Sequence, residues 1–176
     1  MLLHELLVAI AISGVIISAA YGVFEQGLRA HAVGAARVEA HQAARAALAR
    51  MSAEIRDAGR GARWTAAAVA VAEPSRIVLA SDLDDDGTTN DRGELITWQL
   101  VGSILRRNAG AGAQPVANGV RALALRYFDA AGLPTTITSA VTTVDITLVV
   151  EPTTTASSLA SGTAATMNTR VRLRNR

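Results

Sequence analysis

The stretch that decides the fold is Met1-Leu-Leu-His-Glu-Leu-Leu-Val-Ala-Ile-Ala-Ile-Ser-Gly-Val-Ile-Ile-Ser-Ala-Ala-Tyr-Gly-Val-Phe24. Glu5 lies near its start, and no side chain from residue 6 to residue 24 carries a charge. As a helix, this run of about 19 residues is roughly 28 Å long, enough to cross the hydrocarbon core of a bilayer. A carboxylate at the edge of such a run is costly in lipid unless another group pairs with it. Residues 1–24 are therefore predicted to form a membrane-spanning helix that carries an acid near its N-terminus.

The helical pattern continues beyond this run, through residues 25–58. At 3.6-residue spacing one face is narrow and rich in alanine, with Val33, Ala40, Ala44, Ala47, Leu48, Met51, Ile55 and Ala58. The opposite, charged face carries Glu39, Arg50, Glu54 and Asp57. Gly59 and Gly61 are expected to end the helix. Residues 25–60 are thus predicted to be an amphipathic continuation that lies close against a sheet.

After Gly61 the apolar period changes to two, which is typical of strands. The predicted strands are 76–82, 94–101, 104–108, 120–128, 143–150 and 170–174. Of these, 76–82 and 94–101 should pair, 120–128 should be central, and 170–174 should lie at an edge, where arginines discourage aggregation. A Thr/Ser/Ala-rich stretch, 153–166, lies just before the last predicted strand and is predicted to be a loop. Residues 61–176 would form a globular domain, so the fold class is α+β, a long N-terminal helix packed on a mainly antiparallel sheet.

Composition excludes several function classes. All 17 basic residues are arginine and 15 residues are acidic, so the net charge of +2 does not by itself indicate nucleic-acid binding. Cysteine is absent, which excludes disulfides and a thiol nucleophile. The three histidines, at positions 4, 31 and 41, all fall on the predicted helix and cannot reach a Ser/Asp pair in the globular part. No glycine-rich loop opens a helix after a strand. The chain is therefore not expected to be an enzyme.

Three small residues, Gly14, Ser18 and Gly22, recur every four positions within the apolar run. This spacing places them on one face of a helix, where another helix backbone can approach closely. Membrane helices also tolerate glycine without any such contact. Both interpretations, helix packing and ordinary tolerance, remain open at this point.

An acidic stretch, 82–94, separates the first two predicted strands. Its Asp-x-Asp-x-Asp-Gly opening is typical of loops in which alternate carboxylates converge on Ca²⁺, with the glycine allowing a sharp turn. The candidate ligands are Asp82, Asp84, Asp86, the carbonyl of Thr88, Asn90 and Glu94. The twelfth loop position is Gly93 rather than an acid, and Asp91 or Glu94 would have to reach the ion instead. A solvated acidic turn without an ion is the alternative.

The N-terminal stretch resembles the N-terminus of mature type IV pilins and of type II secretion pseudopilins, whose common form is Phe-Thr-Leu-Ile-Glu-Leu-Leu-Val-Ala-Ile. The matching residues are Leu3, Glu5, Leu6, Leu7, Val8, Ala9 and Ile10. Met1, Leu2 and His4 depart from that form. The resemblance implies a basic leader ending in glycine ahead of Met1, which a prepilin peptidase would remove. It also implies a pilin-like fold.

Two further segments, 42–59 and 171–175, resemble the end of the long helix and the C-terminus of PilW-type minor pilins. This resemblance implies a structural subunit of a type IV pilus, a minor pilin that primes or caps filament assembly through its N-terminal helix. A minor pseudopilin of a type II secretion system and a major pilin are the alternatives. The implied partners are other pilin subunits in a helical filament. DNA is a further candidate partner that rests only on Arg106, Arg107 and the C-terminal arginines, which suit a solvated sheet face equally well.

The resemblance assigns roles to the helix residues. Glu5 would accept the free N-terminal amine of a subunit, its own or the next, and the assembly residues would be Met1, Glu5, Gly14, Ser18 and Gly22. The chain would first span the inner membrane once, with its N-terminus at the cytoplasmic side, and would then enter a periplasmic or extracellular filament. An ordinary signal anchor and a secretory signal cleaved near Ala20 are the competing interpretations of the apolar run.

Overall fold

The computed structural model of the chain describes residues 3–61, 66–151 and 164–175. Met1 and residues 153–163 of the predicted loop lie outside the described residues. The described part confirms the α+β class, because one long N-terminal helix packs against antiparallel strands. Within these ranges the strands are divided between two sheets, whereas the sequence pattern predicted one.

Helix α1 runs without interruption from Leu3 to Asp57. No proline occurs before position 74, so nothing in this segment removes a backbone donor or forces a kink. The helix ends where the sequence predicts, because Gly59 and Gly61 adopt φ angles of 77° and 133°, which L-residues rarely tolerate. Side chains of the first half are almost all exposed, and buried ones begin at Ala40. The fully buried stripe is Ala40, Ala44, Ala47, Met51, Ile55 and Ala58, with Val33 and Leu48 half-buried beside it.

The first sheet is an antiparallel meander in the order β1 to β5. Its strands are β1 (Val69–Glu73), β2 (Arg76–Ala80), β3 (Leu95–Val101), β4 (Ile104–Asn108) and β5 (Gln114–Asn118). The predicted pairing of β2 with β3 is confirmed, and β4 extends the sheet as expected. β2 ends at Ala80 rather than at residue 82, because Asp82 turns into the acidic loop. The sequence pattern did not predict β1 or β5, because β5 contains Pro115 and β1 is a short, alanine-containing segment.

The second sheet contains β6 (Val120–Phe128), β7 (Thr143–Val150) and β8 (Ala165–Arg172), in that order. The prediction that 120–128 is a central strand is therefore wrong, because β7 is central and β6 borders the first sheet. Backbone hydrogen bonds at that border run from Leu125 N to Pro74 O at 2.7 Å and from Val120 N to Ser103 O at 3.0 Å. The edge position of the last strand is confirmed, although it begins at Ala165, inside the predicted loop, and ends at Arg172.

Among the described residues, one hydrophobic core joins both sheets to the second half of α1, which packs against β5, β7 and β8. The assignment of Glu54 to the solvated face of the helix is wrong. Its side chain is only 15% exposed; Oε2 accepts a hydrogen bond from Trp98 Nε1 at 2.6 Å and Oε1 accepts one from Arg107 Nε at 2.7 Å. Glu54 lies about 60° around the helix from buried Met51, at the border of the apolar stripe, so long side chains of the first sheet can reach it.

Candidate functional site

Within the described part of the chain, no other element covers the apolar surface of the first half of α1. Its most apolar 18-residue window has a mean hydropathy of 2.3, and none of that window is buried. By length and composition α1 can cross a membrane, a property that it shares with signal sequences. The large exposed side chains occur all round the helix rather than on one face, and include Leu6, Leu7, Ile10, Ile16, Ile17 and Phe24. This distribution suits surroundings that are apolar on every side.

Glu5 lies in the first turn of α1 and is exposed. Gly14, Ser18 and Gly22 follow it along the helix. The Ser18 hydroxyl donates to the carbonyl oxygen of Gly14 at 2.8 Å, so this polar side chain is satisfied within its own helix. A Cβ added at Gly14 or Gly22 would meet no atom within 4 Å, which leaves open space for a neighbouring helix. Met1, the fifth predicted assembly residue, lies outside the described residues.

The acidic loop between β2 and β3 is held by two buried carboxylates, Asp82 and Glu94, each 1% exposed. Asp82 accepts the amide of Asp86 at 3.1 Å and the amide of Gly87 at 2.9 Å. Glu94 accepts the amide of Leu83 at 2.8 Å through Oε1, and that of Asp91 at 2.9 Å through Oε2. Backbone donors therefore stabilise both charges, and the loop is pinned at its two ends. The sequence pattern predicted that Glu94 is a metal ligand. It gave no sign that Glu94 holds the loop by accepting backbone amides.

Three of the six candidate ligands come together. Asp82, Asp84 and Asp86 each place one carboxylate oxygen within 4.8 Å of the other two. Asp86 Oδ1 also accepts the amide of Thr88 at 2.7 Å. The Thr88 hydroxyl lies 2.9 Å from that oxygen and 2.8 Å from Asn90 Oδ1, and its one proton can go to either. The carboxylate of Glu94 is not part of this group.

The charges of the loop repel one another at Asp84. The amide of Asp86 donates to Asp84 at 3.2 Å, which by itself lowers the pKa of Asp84. Desolvation and the charges of Asp86, Glu94 and Asp91 outweigh that bond, so the pKa of Asp84 lies above its ordinary value of 3.8. A hard cation among these oxygens would relieve the repulsion, and carboxylate oxygens are the ligands that Ca²⁺ prefers.

The arginines that were candidates for contacting DNA do not lie on one surface. Arg107 is engaged by Glu54, and Arg106 donates through Nη1 to the carbonyl oxygen of Ala113 at 3.2 Å on the first sheet. Arg172 and Arg174 instead lie beside Arg56, and the three line one surface depression at the C-terminal end of α1.

Comparison with known families finds no match to this chain, and no curated protein is significantly similar to it in sequence.

Proposed function

We propose that the chain is a structural subunit of a type IV pilus, a minor pilin that primes or caps filament assembly through α1. One observation carries the proposal: a single 55-residue helix is apolar and exposed in its first half, and is buried against two sheets near its end. An exposed apolar surface of this size requires a partner or a membrane. Lipid would cover it before assembly, and the helices of neighbouring subunits would cover it in the filament.

The acid in this apolar surface supports the same role. In lipid or in a bundle of apolar helices, the carboxylate of Glu5 is tolerable only if a positive group pairs with it. We propose that the free N-terminal amine of a subunit, exposed after leader removal, supplies that charge. Pairing with a neighbouring subunit would fix the axial position at which each new helix enters the filament.

The experiment for this proposal compares Glu5→Ala with Glu25→Ala in cells that assemble filaments. Glu25 is a matched control, since it lies on the same helix beyond the apolar run and pairs with Arg29. Glu5→Ala should remain in the membrane at normal amounts and be missing from sheared filaments, whereas Glu25→Ala should incorporate normally. Normal incorporation of Glu5→Ala would refute the pairing.

The proposed location is the inner membrane, crossed once with the N-terminus at the cytoplasmic side, followed by a periplasmic or extracellular filament. The excess of arginine beyond α1 does not oppose this orientation, because the positive-inside bias concerns short loops and folded domains translocate regardless. A protease added to the periplasmic face of spheroplasts should digest the globular part and leave residues 1–24 protected. If the globular part is protected instead, the orientation is the opposite of the one proposed.

A minor pseudopilin of a type II secretion system and a major pilin share the same helix and remain the alternatives. They differ in abundance and in the genes beside them. A minor pilin is scarce in purified filaments and its deletion abolishes assembly, whereas a major pilin dominates the preparation. Secretion genes next to the coding sequence would favour the pseudopilin.

We further propose that the acidic loop binds Ca²⁺ through Asp82, Asp84 and Asp86, a role favoured by their mutual approach within 4.8 Å. Extracellular modules bind Ca²⁺ with Kd values of about 10⁻⁴–10⁻³ M, so a weak site would fill outside the cell. Several millimolar Ca²⁺ should raise the Tm of the full chain in detergent by a few degrees.

The control for that experiment is a variant that loses a carboxylate outside the loop. Asp84→Ala should abolish the Ca²⁺-dependent rise in Tm, and Asp57→Ala, at the exposed end of α1, should preserve it. The absence of both binding heat and thermal shift at several millimolar Ca²⁺ would leave a solvated acidic turn.

A further inference from the structure

The last strand of the second sheet has an open edge, and its hydrogen-bond pattern identifies the residues that line it. Leu173 N donates to the carbonyl oxygen of Thr142 at 3.0 Å, in the same register that pairs Val171 with Val144. Because every second pair of an antiparallel ladder is hydrogen-bonded, the odd-numbered residues of β8 direct their backbone groups toward β7. The even-numbered residues direct their N–H and C=O groups away from it, and these residues are Thr166, Asn168, Arg170 and Arg172.

Arg174 supports this assignment. It is the next even-numbered residue after the strand, and its N–H donates away from β7, to the carbonyl oxygen of Arg56 in the last turn of α1, at 3.3 Å. Within the described part of the chain, no such partner meets the outward backbone groups of residues 166–172. We call this stretch, about 20 Å long, the free edge. An edge of this kind is a template on which another strand can add.

The free edge is bordered by positive charge. The side chains of its four outward residues are exposed, and two of them are arginines. Asp145 holds Arg170 with two hydrogen bonds, of 2.5 and 2.6 Å, which balance that charge. Arg172 instead lies in the surface depression that it shares with Arg56 and Arg174. Among the described residues, the side chains of these three arginines take part in no ion pair.

We propose that the free edge binds an extended acidic segment of a partner protein, which adds to the second sheet as an antiparallel strand. The backbone of that segment pairs with the outward N–H and C=O groups of β8. Residues directly opposite each other across a ladder have side chains on the same face, so carboxylates at alternate positions of the segment face Arg172 and its neighbours. Arginine suits this role because its planar fork donates two parallel hydrogen bonds to a carboxylate.

Two other occupants fit the free edge less well. A second copy of this chain brings its own β8, whose outward residues include two arginines and no carboxylate. Its backbone could pair, but the guanidinium groups near the end of α1 would remain without an acid. A polyanion without a peptide backbone would reach the arginines and leave the backbone groups of the edge unpaired. An acidic strand satisfies both sets of groups.

The experiment uses the full chain in non-ionic detergent and a fluorescently labelled peptide of about eight residues, with alternating glutamate and valine, which is long enough to cover the free edge. Anisotropy measures its Kd in about 0.1 M NaCl, where exposed charges still interact over about 10 Å. The acidic peptide should bind, and the same peptide with lysine in place of glutamate should not.

Two N-methylated peptides test the backbone pairing. In the proposed register, the glutamates that face the arginines also direct their N–H groups toward β8. N-methylation of the glutamates should therefore weaken binding by about 10-fold or more, because several backbone hydrogen bonds are lost. N-methylation of the valines is the matched control and should change the Kd little.

The corresponding pair of protein variants is Asn168→Pro and Asn168→Ala. The N–H of Asn168 points away from β7, so proline removes a donor of the free edge without breaking the ladder with β7, and edge strands tolerate proline at such positions. Asn168→Pro should weaken binding by about 10-fold, whereas Asn168→Ala should preserve it. Both variants keep every arginine. Circular dichroism of each variant checks that it is folded.

A double variant, Arg172→Ala with Arg174→Ala, tests the charges. It should bind the acidic peptide about 3-fold to 30-fold more weakly in about 0.1 M NaCl. This difference should shrink in about 1 M NaCl, because salt screens exposed charges. The control double variant, Arg45→Ala with Arg92→Ala, removes two exposed arginines elsewhere and should bind within about 2-fold of the wild type.

Three results would overturn the inference. The first is the absence of binding of the acidic peptide to the wild type. The second is unchanged binding both in Asn168→Pro and with the peptide N-methylated at glutamate, which would mean that the arginines attract an anion without strand pairing. The third is tighter binding of a peptide copied from residues 164–174, which would make a second copy the occupant. The inference does not rest on the pilin role, so its failure would leave the Glu5 test of that role unaffected.

Discussion

Glu54 is the residue whose removal should most weaken the attachment of α1 to the first sheet. Its carboxylate accepts hydrogen bonds from Trp98, which is fully buried, and from Arg107, whose side chain is 18% exposed. In Glu54→Ala the indole N–H loses its acceptor, which costs about 1–3 kcal/mol, and the guanidinium loses a charged hydrogen bond of about 1.5–3 kcal/mol. Water can still reach part of Arg107, so we expect a net loss of about 3 kcal/mol in the free energy of unfolding.

Urea unfolding of the full chain in non-ionic detergent, followed by tryptophan fluorescence, measures this loss. With a slope of about 2 kcal/mol/M, the midpoint should fall by about 1.5 M while the slope stays the same. Arg50→Ala is the control, because Arg50 contacts the same carboxylate at 3.3 Å but is 54% exposed and should cost less than about 0.5 kcal/mol. A midpoint shift in Glu54→Ala as small as that of the control would refute the role of the buried contacts.

Two further predictions concern the end of the helix and the second sheet. Gly59→Ala should lower the urea midpoint strongly, since its Cβ would lie 2.6 Å from the carbonyl oxygen of Asn175 at a φ of 77°, whereas Gly34→Ala on the open helix surface should raise or preserve it. The hydrogen bonds from Arg170 hold the pKa of Asp145 below its usual 3.8, so this carboxylate stabilises the fold above that pH and the benefit disappears as the pH falls through the lowered pKa. Stability measured from pH 6 to pH 2 should therefore fall more steeply in the wild type than in Asp145→Asn, and parallel curves would contradict the pairing.

The sequence predicts the elements whose pattern repeats over many residues. A long apolar run followed by an alanine stripe defines α1, and the period-two segments define the bounds of β2, β3, β4, β6 and β7 closely. Short elements lack that repetition. β5 contains a proline and has little apolar alternation, so only its pairing with β4 reveals it as a strand.

Contacts between distant parts of the chain could not be predicted. Glu54 counts as a solvated helix residue by periodicity, and only the position of Trp98, 44 residues later, makes it a buried acceptor. Glu94 has the spacing of a late ligand, but it lies outside the group of Asp82, Asp84 and Asp86 and accepts the amides of Leu83 and Asp91.

The charged surfaces illustrate the same limit. The spacing of the aspartates in the acidic loop follows from the sequence, and a local turn is enough to bring them together. The alternation of arginines in β8 is equally local. The approach of Arg56 to Arg172 and Arg174 depends on the packing of α1, which the sequence pattern does not contain.

The most direct test of the proposed filament role is the composition of sheared, purified filaments. Immunoblotting with purified standards should find this chain in the filament fraction, at far less than one copy per major subunit, and deletion of its gene should abolish filaments. If filaments assemble normally without the chain and it never enters the sheared fraction, it is not a filament subunit.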